Sequence, residues 1–283
     1  MERQLNLCLL LLLSISFTTA SCGKENEFPD AEHSVNKRFG QSMVWNSTNL
    51  NKEIVVNTDH YLILFTGDSH VGGIKNLTTL LRIARNSNAV AVTMAGDLID
   101  GNPKDYAKLS QCLQTQDSVP YFLTVGNHDL WFNNGWDEYF IRFGASTYTF
   151  TIKTPTGNDL YISLDSGSGT LGTDQLKWFE NTLQNQRLYY RRCIVFTHLN
   201  FFRFRFSEIS NPLVEELNKL IELFTRYHVD MLISGHEHRR YTQVFGLTTY
   251  IVMEPLKDGV YNAGYLKLNV DKGELNYSYE RFN

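Results

Sequence analysis

The sequence predicts an α/β fold with two mixed β-sheets and helices on the outside. Two observations predict it. From residue 61 to residue 234, short β-branched or aromatic runs alternate with stretches of helical spacing, as in a chain that pairs buried strands with covering helices. Between 147 and 164, and again after 240, strand-like runs follow one another across turn residues, which one parallel sheet does not explain.

In chain order, an apolar run from Leu5 to Phe17 sits behind Arg3 and ahead of Thr18-Thr19-Ala20. The run is too short to span a bilayer and small residues follow it, so residues 1–21 are expected to be a secretory signal peptide. Cys22 stands where a bacterial lipoprotein carries its lipidated cysteine, with Thr19 in place of the usual Leu in the lipobox. An exported, membrane-anchored lipoprotein, periplasmic or at the cell surface, is expected. Cleavage near Ala20 or Ser21 to give a secreted protein is the alternative. Residues 22–50 are polar, contain Pro29 and Gly40, show no sustained period and are expected to form a tether into a single domain over residues 51–283.

Strands are expected at 61–66, 89–95, 120–125, 193–197 and 230–234, each short and ending in turn residues. Helices are expected at 74–86, 103–116, 173–186 and 212–227, with Pro103 and Pro212 in first turns and Thr173 as an N-cap. Further strands are expected at 147–152, 160–164, 241–245, 248–253, 265–270 and 274–280. Gly157-Asn158, Gly246 and Lys272-Gly273 would turn the hairpins.

A formal net charge of -4 without a clustered basic face argues against a nucleic-acid partner. Of four cysteines, Cys8 falls in the signal and Cys22 at the anchor. Cys112 and Cys193 allow one disulfide, but their positions in a helix and a strand read as two buried apolar residues.

The polar residues with chemistry sit at strand ends. Asp68 and His70 follow the first strand, Asp97 the second, Asn127, His128 and Asp129 the third, His198 the fourth, and His236 and His238 the fifth. That edge of an α/β sheet is where ligands bind. Asp68 with His70, and His236 with His238, are two residues apart, so an extended backbone would turn each pair to one side for chelation. Carboxylate, imidazole and amide oxygen together suit Mn, Fe or Zn ions. Seven donors exceed one tetrahedral shell and point to two ions about 3.5–4 Å apart. The glycines before Asp68, Asp97, Asn127 and His236 would permit tight turns at the site.

These elements, Asp-x-His, Gly-Asp-x-x-Asp, Gly-Asn-His-Asp, a lone His and Gly-His-x-His, occur in the order found in the calcineurin-like metallophosphoesterases, which the chain resembles over roughly residues 60–255. The resemblance implies a four-layer α-β-β-α sandwich. It implies that Asp68, His70, Asp97 and His238 hold one divalent ion, and that Asp97, Asn127, His198 and His236 hold the other, with Asp97 bridging. A hydroxide between the ions would attack the phosphorus of a small phosphomonoester or phosphodiester. His128 would act at the leaving group, with Asp129 orienting its ring. Asp100, three residues after Asp97, stands where the purple acid phosphatases carry a ligand Tyr, so the site resembles the branch of cyclic-nucleotide and glycerophosphodiester phosphodiesterases. His198-Leu199-Asn200 departs from the His-His-Pro often seen there, which weakens the case for a cyclic nucleotide.

Arg203 and Arg205, among aromatic residues just after His198, are candidates for binding the substrate phosphate, with an ordinary loop as the alternative. Asp100 and Asp165 are either partners of the site residues or turn residues. A non-catalytic binding module and a metal-dependent nuclease are the rival functions. The complete ligand set with His128 argues against the first, and the charge against the second.

Overall fold

The computed structural model describes residues 33–49, 53–115, 119–132, 134–201 and 214–282. The expected signal, Cys22, Arg203, Arg205 and Pro212 lie outside the described residues.

Alternating side chains build the core. In β2 (His60–Thr66), Tyr61, Ile63 and Phe65 pack between two sheets, whereas Leu64 packs on the opposite face. In β6 (Gly157–Leu164), Tyr161 points between the sheets, and Leu160, Ile162 and Leu164 point outward to helices. Burying one such side chain contributes about 1.5–3 kcal/mol, and a one-residue slip would turn every one of them to the wrong face.

Seven strands form one mixed sheet in the order β1 (Glu53–Val55), β5 (Tyr148–Thr154), β6, β7 (Arg192–Thr197), β8 (Met231–Ser234), β10 (Thr248–Val252) and β9 (Tyr241–Phe245). Five form the other: β12 (Glu274–Arg281), β11 (Gly264–Asp271), β2, β3 (Ala91–Ala95) and β4 (Tyr121–Thr124). The helices α2 (Lys75–Asn86), α3 (Asp105–Thr115) and α4 (Gly135–Phe143) cover the five-stranded sheet through Leu80, Leu109 and Tyr139. The helices α5 (Gly172–Gln186) and α6 (Val214–Arg226) cover the seven-stranded sheet through Phe179, Leu220 and Phe224. The result is an α-β-β-α sandwich, with parallel strands β6–β7–β8 at the centre of one sheet and β2–β3–β4 running to one edge of the other.

Several expectations need correction. Residues 35–48, expected within a tether, form a helix α1 (Val35–Thr48) that packs on the domain. Ser34 caps it, its Oγ accepting from Lys37 N. Its buried stripe is Val35, Arg38 and Ser42, so the inward face carries few apolar residues and leaves no hydrophobic period to read. Arg38 is fully buried and donates from Nε and Nη2 to the two oxygens of buried Asp165, from Nη2 to Ser168 Oγ and from Nη1 to the His33 carbonyl.

Thr173 is not the cap of α5, which starts at Gly172. The donors there are met by one local and two tertiary partners. Gly172 N donates to Thr170 Oγ1, Asp174 N to Asn36 Oδ1 on α1, and Leu171 N to Glu216 Oε1 on α6. The β5–β6 hairpin turns at Pro155-Thr156, with Gly157 already paired to Thr154. Cys112 and Cys193 are free and buried in different helix–sheet layers, so they form no disulfide. Helix α4 and strand β1 were not anticipated.

Candidate metal centre

The loops after β2 and β3 continue the sheet pairing past its strands. Asp68 N donates to the Gly96 carbonyl, His70 N to that of Asp97 and Val71 N to that of Leu98. Close packing makes glycine necessary here. A Cβ on Gly126 would lie 2.3 Å from both Asp97 N and Asp97 Oδ1, and one on Gly235 would lie 2.3 Å from Asp68 Oδ2. Backbone approach, more than the tight turns expected of them, is what these two glycines supply.

The chelating pairs do not lie on extended backbone as expected. Asp68 (φ 51°), His70 (41°), Asp97 (49°), His236 (70°) and His238 (53°) all occupy the left-handed region. Nine non-glycine residues do so among the described residues, and five are candidate ligands. Each costs about 1–2 kcal/mol, held in place by the loop hydrogen bonds. On this backbone Asp68 and His70 reach one donor group, whereas His236 and His238 part to different groups.

Two groups of side-chain atoms share Asp97. Asp68, His70, Asp97 and His238 form the first, and Asp97, His198 and His236 the second, while His70, Asp100 and His128 gather as a third group at the rim. In the first, His238 Nε2 lies 3.1 Å from Asp68 Oδ1 and 3.2 Å from His70 Nε2. In the second, His198 Nε2 lies 3.0 Å from Asn127 Oδ1 and 3.1 Å from His236 Nδ1, itself 2.9 Å from Asn127 Oδ1. Asp97 Oδ2 stands between them, 3.8 Å from His70 Nε2 and 3.4 Å from His198 Nε2. Asp97 Oδ1 is occupied in accepting His128 N at 2.8 Å, so the shared atom is one oxygen and not both.

The donor set fits divalent ions. His198 Nδ1 donates to the Ala95 carbonyl oxygen at 2.9 Å, so Nε2, which faces Asn127 Oδ1 and Asp97 Oδ2, is the atom that gives up its proton when a cation binds. A proton there satisfies one neighbouring oxygen, whereas a cation satisfies all of the lone pairs. Ligand bonds of about 2.1 Å separate adjacent donors by about 3.0–3.4 Å, close to the spacings here.

Charge follows the same plan. Burial alone would raise Asp97 and Asp68, but the surrounding imidazoles overcome it and hold both carboxyls below the usual range. Burial lowers His198, yet Asp97 and Asp68 outweigh it and push the ring up to about 9.

His128 stands beside the two groups, with Nε2 4.0 Å from Asp97 Oδ2 and its ring edge-on to His70 at 4.6 Å between centroids. Asp129 does not orient it, which corrects the expectation. The Asp129 carboxylate is fully buried and accepts from Leu98 N, Ile99 N, Gly126 N and Tyr106 Oη. Burial and the Asp97 charge raise its pKa to about 7 against those donors. Its work is to tie the Asp97 loop to the Asn127 loop.

The carboxylate facing His128 is Asp100, whose Oδ1 lies 3.8 Å from His128 Nδ1 and 3.0 Å from His70 Nδ1, the latter off line for a hydrogen bond. Lys257 Nζ donates to both Asp100 oxygens at 3.2 Å. Sequence reading left Asp100 open and missed Lys257, which carries no motif. Asp165 lies beneath the site. It anchors Arg38 and accepts from Gly167 N, and a Cβ on Gly167 would lie 2.9 Å from the Gly126 carbonyl, next to Asn127.

A family model described as calcineurin-like phosphoesterase matches residues 61–240, a span that contains all seven candidate ligands. No curated protein matches significantly. Among solved structures, GAP50, described as the anchor in the inner membrane complex of Plasmodium, is similar with TM-score 0.60 and 12% identity, over 80% of this chain and 90% of its own. A dimetal phosphatase from Danio rerio is similar with TM-score 0.58 and 12% identity, over 79% of this chain and 99% of its own. At such identity the likeness is one of fold.

Proposed function

From the premise that the chain belongs to the calcineurin-like phosphoesterase family, matched over more than half its length, we propose that it hydrolyses a small phosphomonoester or phosphodiester at a dinuclear metal centre. The observation that carries this reading is the convergence of seven donors on two points that share Asp97 Oδ2, with an imidazole that is not among them alongside.

Asp68, His70, Asp97 and His238 would hold one ion, and Asp97, Asn127, His198 and His236 the second. Two such ions, of the Mn, Fe or Zn kind, supply Lewis acidity toward phosphoryl oxygens and a water activated for attack. The chain's own part is positional and acid–base. The loop bonds fix the donors before substrate arrives, so little reorganisation accompanies the reaction. His128 presents its ring at the rim, where a proton on Nε2 passes to the leaving oxygen. Asp100, neutralised in part by Lys257, faces Nδ1 at 3.8 Å, outside hydrogen-bond reach, as a charge that favours the protonated ring.

The test is a panel of aryl phosphates, aryl diesters, cyclic nucleotides and glycerophosphodiesters with each metal. Turnover on at least one is expected, and its loss in the Asp97→Ala, His198→Ala double variant. Activity equal to that variant on every compound would sink the hydrolase reading. The fold likeness to an anchor protein favours a second reading, a non-catalytic binding module. It predicts metal binding without turnover. We also propose export with a lipid at Cys22, on the sequence alone. Incorporation of labelled palmitate, absent in Cys22→Ala, would support it, and no incorporation in the unaltered protein would refute it.

A further inference from the structure

We infer that Trp131 and Phe132 form a subsite for an aromatic leaving group, so that the substrate carries a flat ring on the oxygen that departs. This deepens the proposed phosphoesterase reading and rests on it.

The placement begins with backbone. His128–Leu130 is a 3₁₀ turn, and residues three apart eclipse in such a turn. Trp131 therefore follows His128 on the same side, and the two rings pack with centroids 3.7 Å apart at 35°. Trp131 nevertheless keeps 44% of its surface exposed, and Phe132 keeps 54%. Aromatic rings of this size normally bury most of their area, and these two spend it on the rim of a cluster of metal-ligating groups.

Phe132 is not a stray surface ring. Its side chain lies on the loop after β3, where a Cβ on Gly101 would stand 2.6 Å from the ring, and Gly101 itself has φ +89°. The same loop carries Asp100, so the ring is seated on the segment that faces His128.

Chemistry then assigns the occupant. A proton donor to the leaving oxygen must lie on the leaving-group side of the phosphorus. Whatever is attached to that oxygen extends past His128 and meets the next rings in the turn, Trp131 and Phe132. Their open faces are flat and apolar, suited to stacking on a ring. Asp100 and Lys257 supply a polar border that a sugar or hydroxyl substituent would meet.

Binding of phenylphosphonate and methylphosphonate to the Mn²⁺-loaded protein, by calorimetry, tests this without turnover. The phenyl compound is expected to bind about tenfold more tightly, the worth of one stacked ring. Trp131→Ala should abolish that preference, Trp131→Phe should keep most of it, and Phe132→Ala should reduce it. Equal affinity for the two compounds in the unaltered protein, or equal weakening of both in Trp131→Ala, would overturn the subsite, since the latter marks Trp131 as a mere support for His128. An aromatic preference in a protein that hydrolyses nothing would leave the subsite standing and refute the phosphoesterase reading.

Discussion

At the scale of single residues, Asp97 does three things. Its Oδ2 is shared by two donor groups, its Oδ1 receives His128 N, and its left-handed backbone turns the chain toward both. Replacing His128 by Ala should lower kcat by about 10²–10⁴-fold while bound metal stays constant, since the ring is beside the donors and not one of them. Rate and metal content measured on the same sample check this. Gly235→Ala would place a methyl 2.3 Å from Asp68 Oδ2 on rigid backbone, and should weaken the affinity for one ion about 10–100-fold, read by metal titration. Which residue types gather was legible from the sequence, because Asp, His and Asn at five strand ends have no other common purpose. Their backbone was not. The spacing of Asp68 and His70 fits both an extended and a left-handed chain, and only the hydrogen bonds from the neighbouring loop decide between them. The carboxylate facing His128 was hidden for a similar reason. Adjacency in sequence pointed to Asp129, whereas the 3₁₀ turn sends that side chain inward to four donors.

At the scale of elements, the parallel strands β2, β3, β4, β7 and β8 each deliver a ligand-bearing loop, and their boundaries were readable to within about two residues from β-branched runs and turn residues. Helix α1 was not readable. A helix whose inward stripe is Val35, Arg38 and Ser42 has no apolar period, and its reason to fold lies far away in Asp165 and Ser168. Arg38→Met should therefore destabilise the protein by about 3–5 kcal/mol, because Asp165 is left buried and unpaired. Adding Asp165→Leu should recover part of that loss. Chemical denaturation of the two variants measures both effects. No destabilisation in the single variant would mean that α1 is held by its other contacts, such as Trp45 against Gly144.

At the scale of the molecule, the candidate metal centre spans both sheets. Asp68, Asp97 and Asn127 come from the five-stranded sheet, and His198, His236 and His238 from the other. Ions held between them would tie the two halves together and stabilise the folded state alone. Metal at 1,000 times its dissociation constant should add about 4 kcal/mol, lost on chelation and seen as a fall in the unfolding midpoint. The two-sheet architecture was legible in the change from alternating helices and strands to consecutive strands. Which groups line the rim was not, because Lys257 and Trp131 reach it through loop geometry.

The central claim is that two ions share Asp97. Metal content per chain, determined after Mn²⁺ reconstitution for the unaltered protein and for Asp97→Ala, tests it most directly. The expected result is two ions per chain, falling to one or none in the variant with turnover lost. One ion in both proteins, or two in the variant, would contradict it.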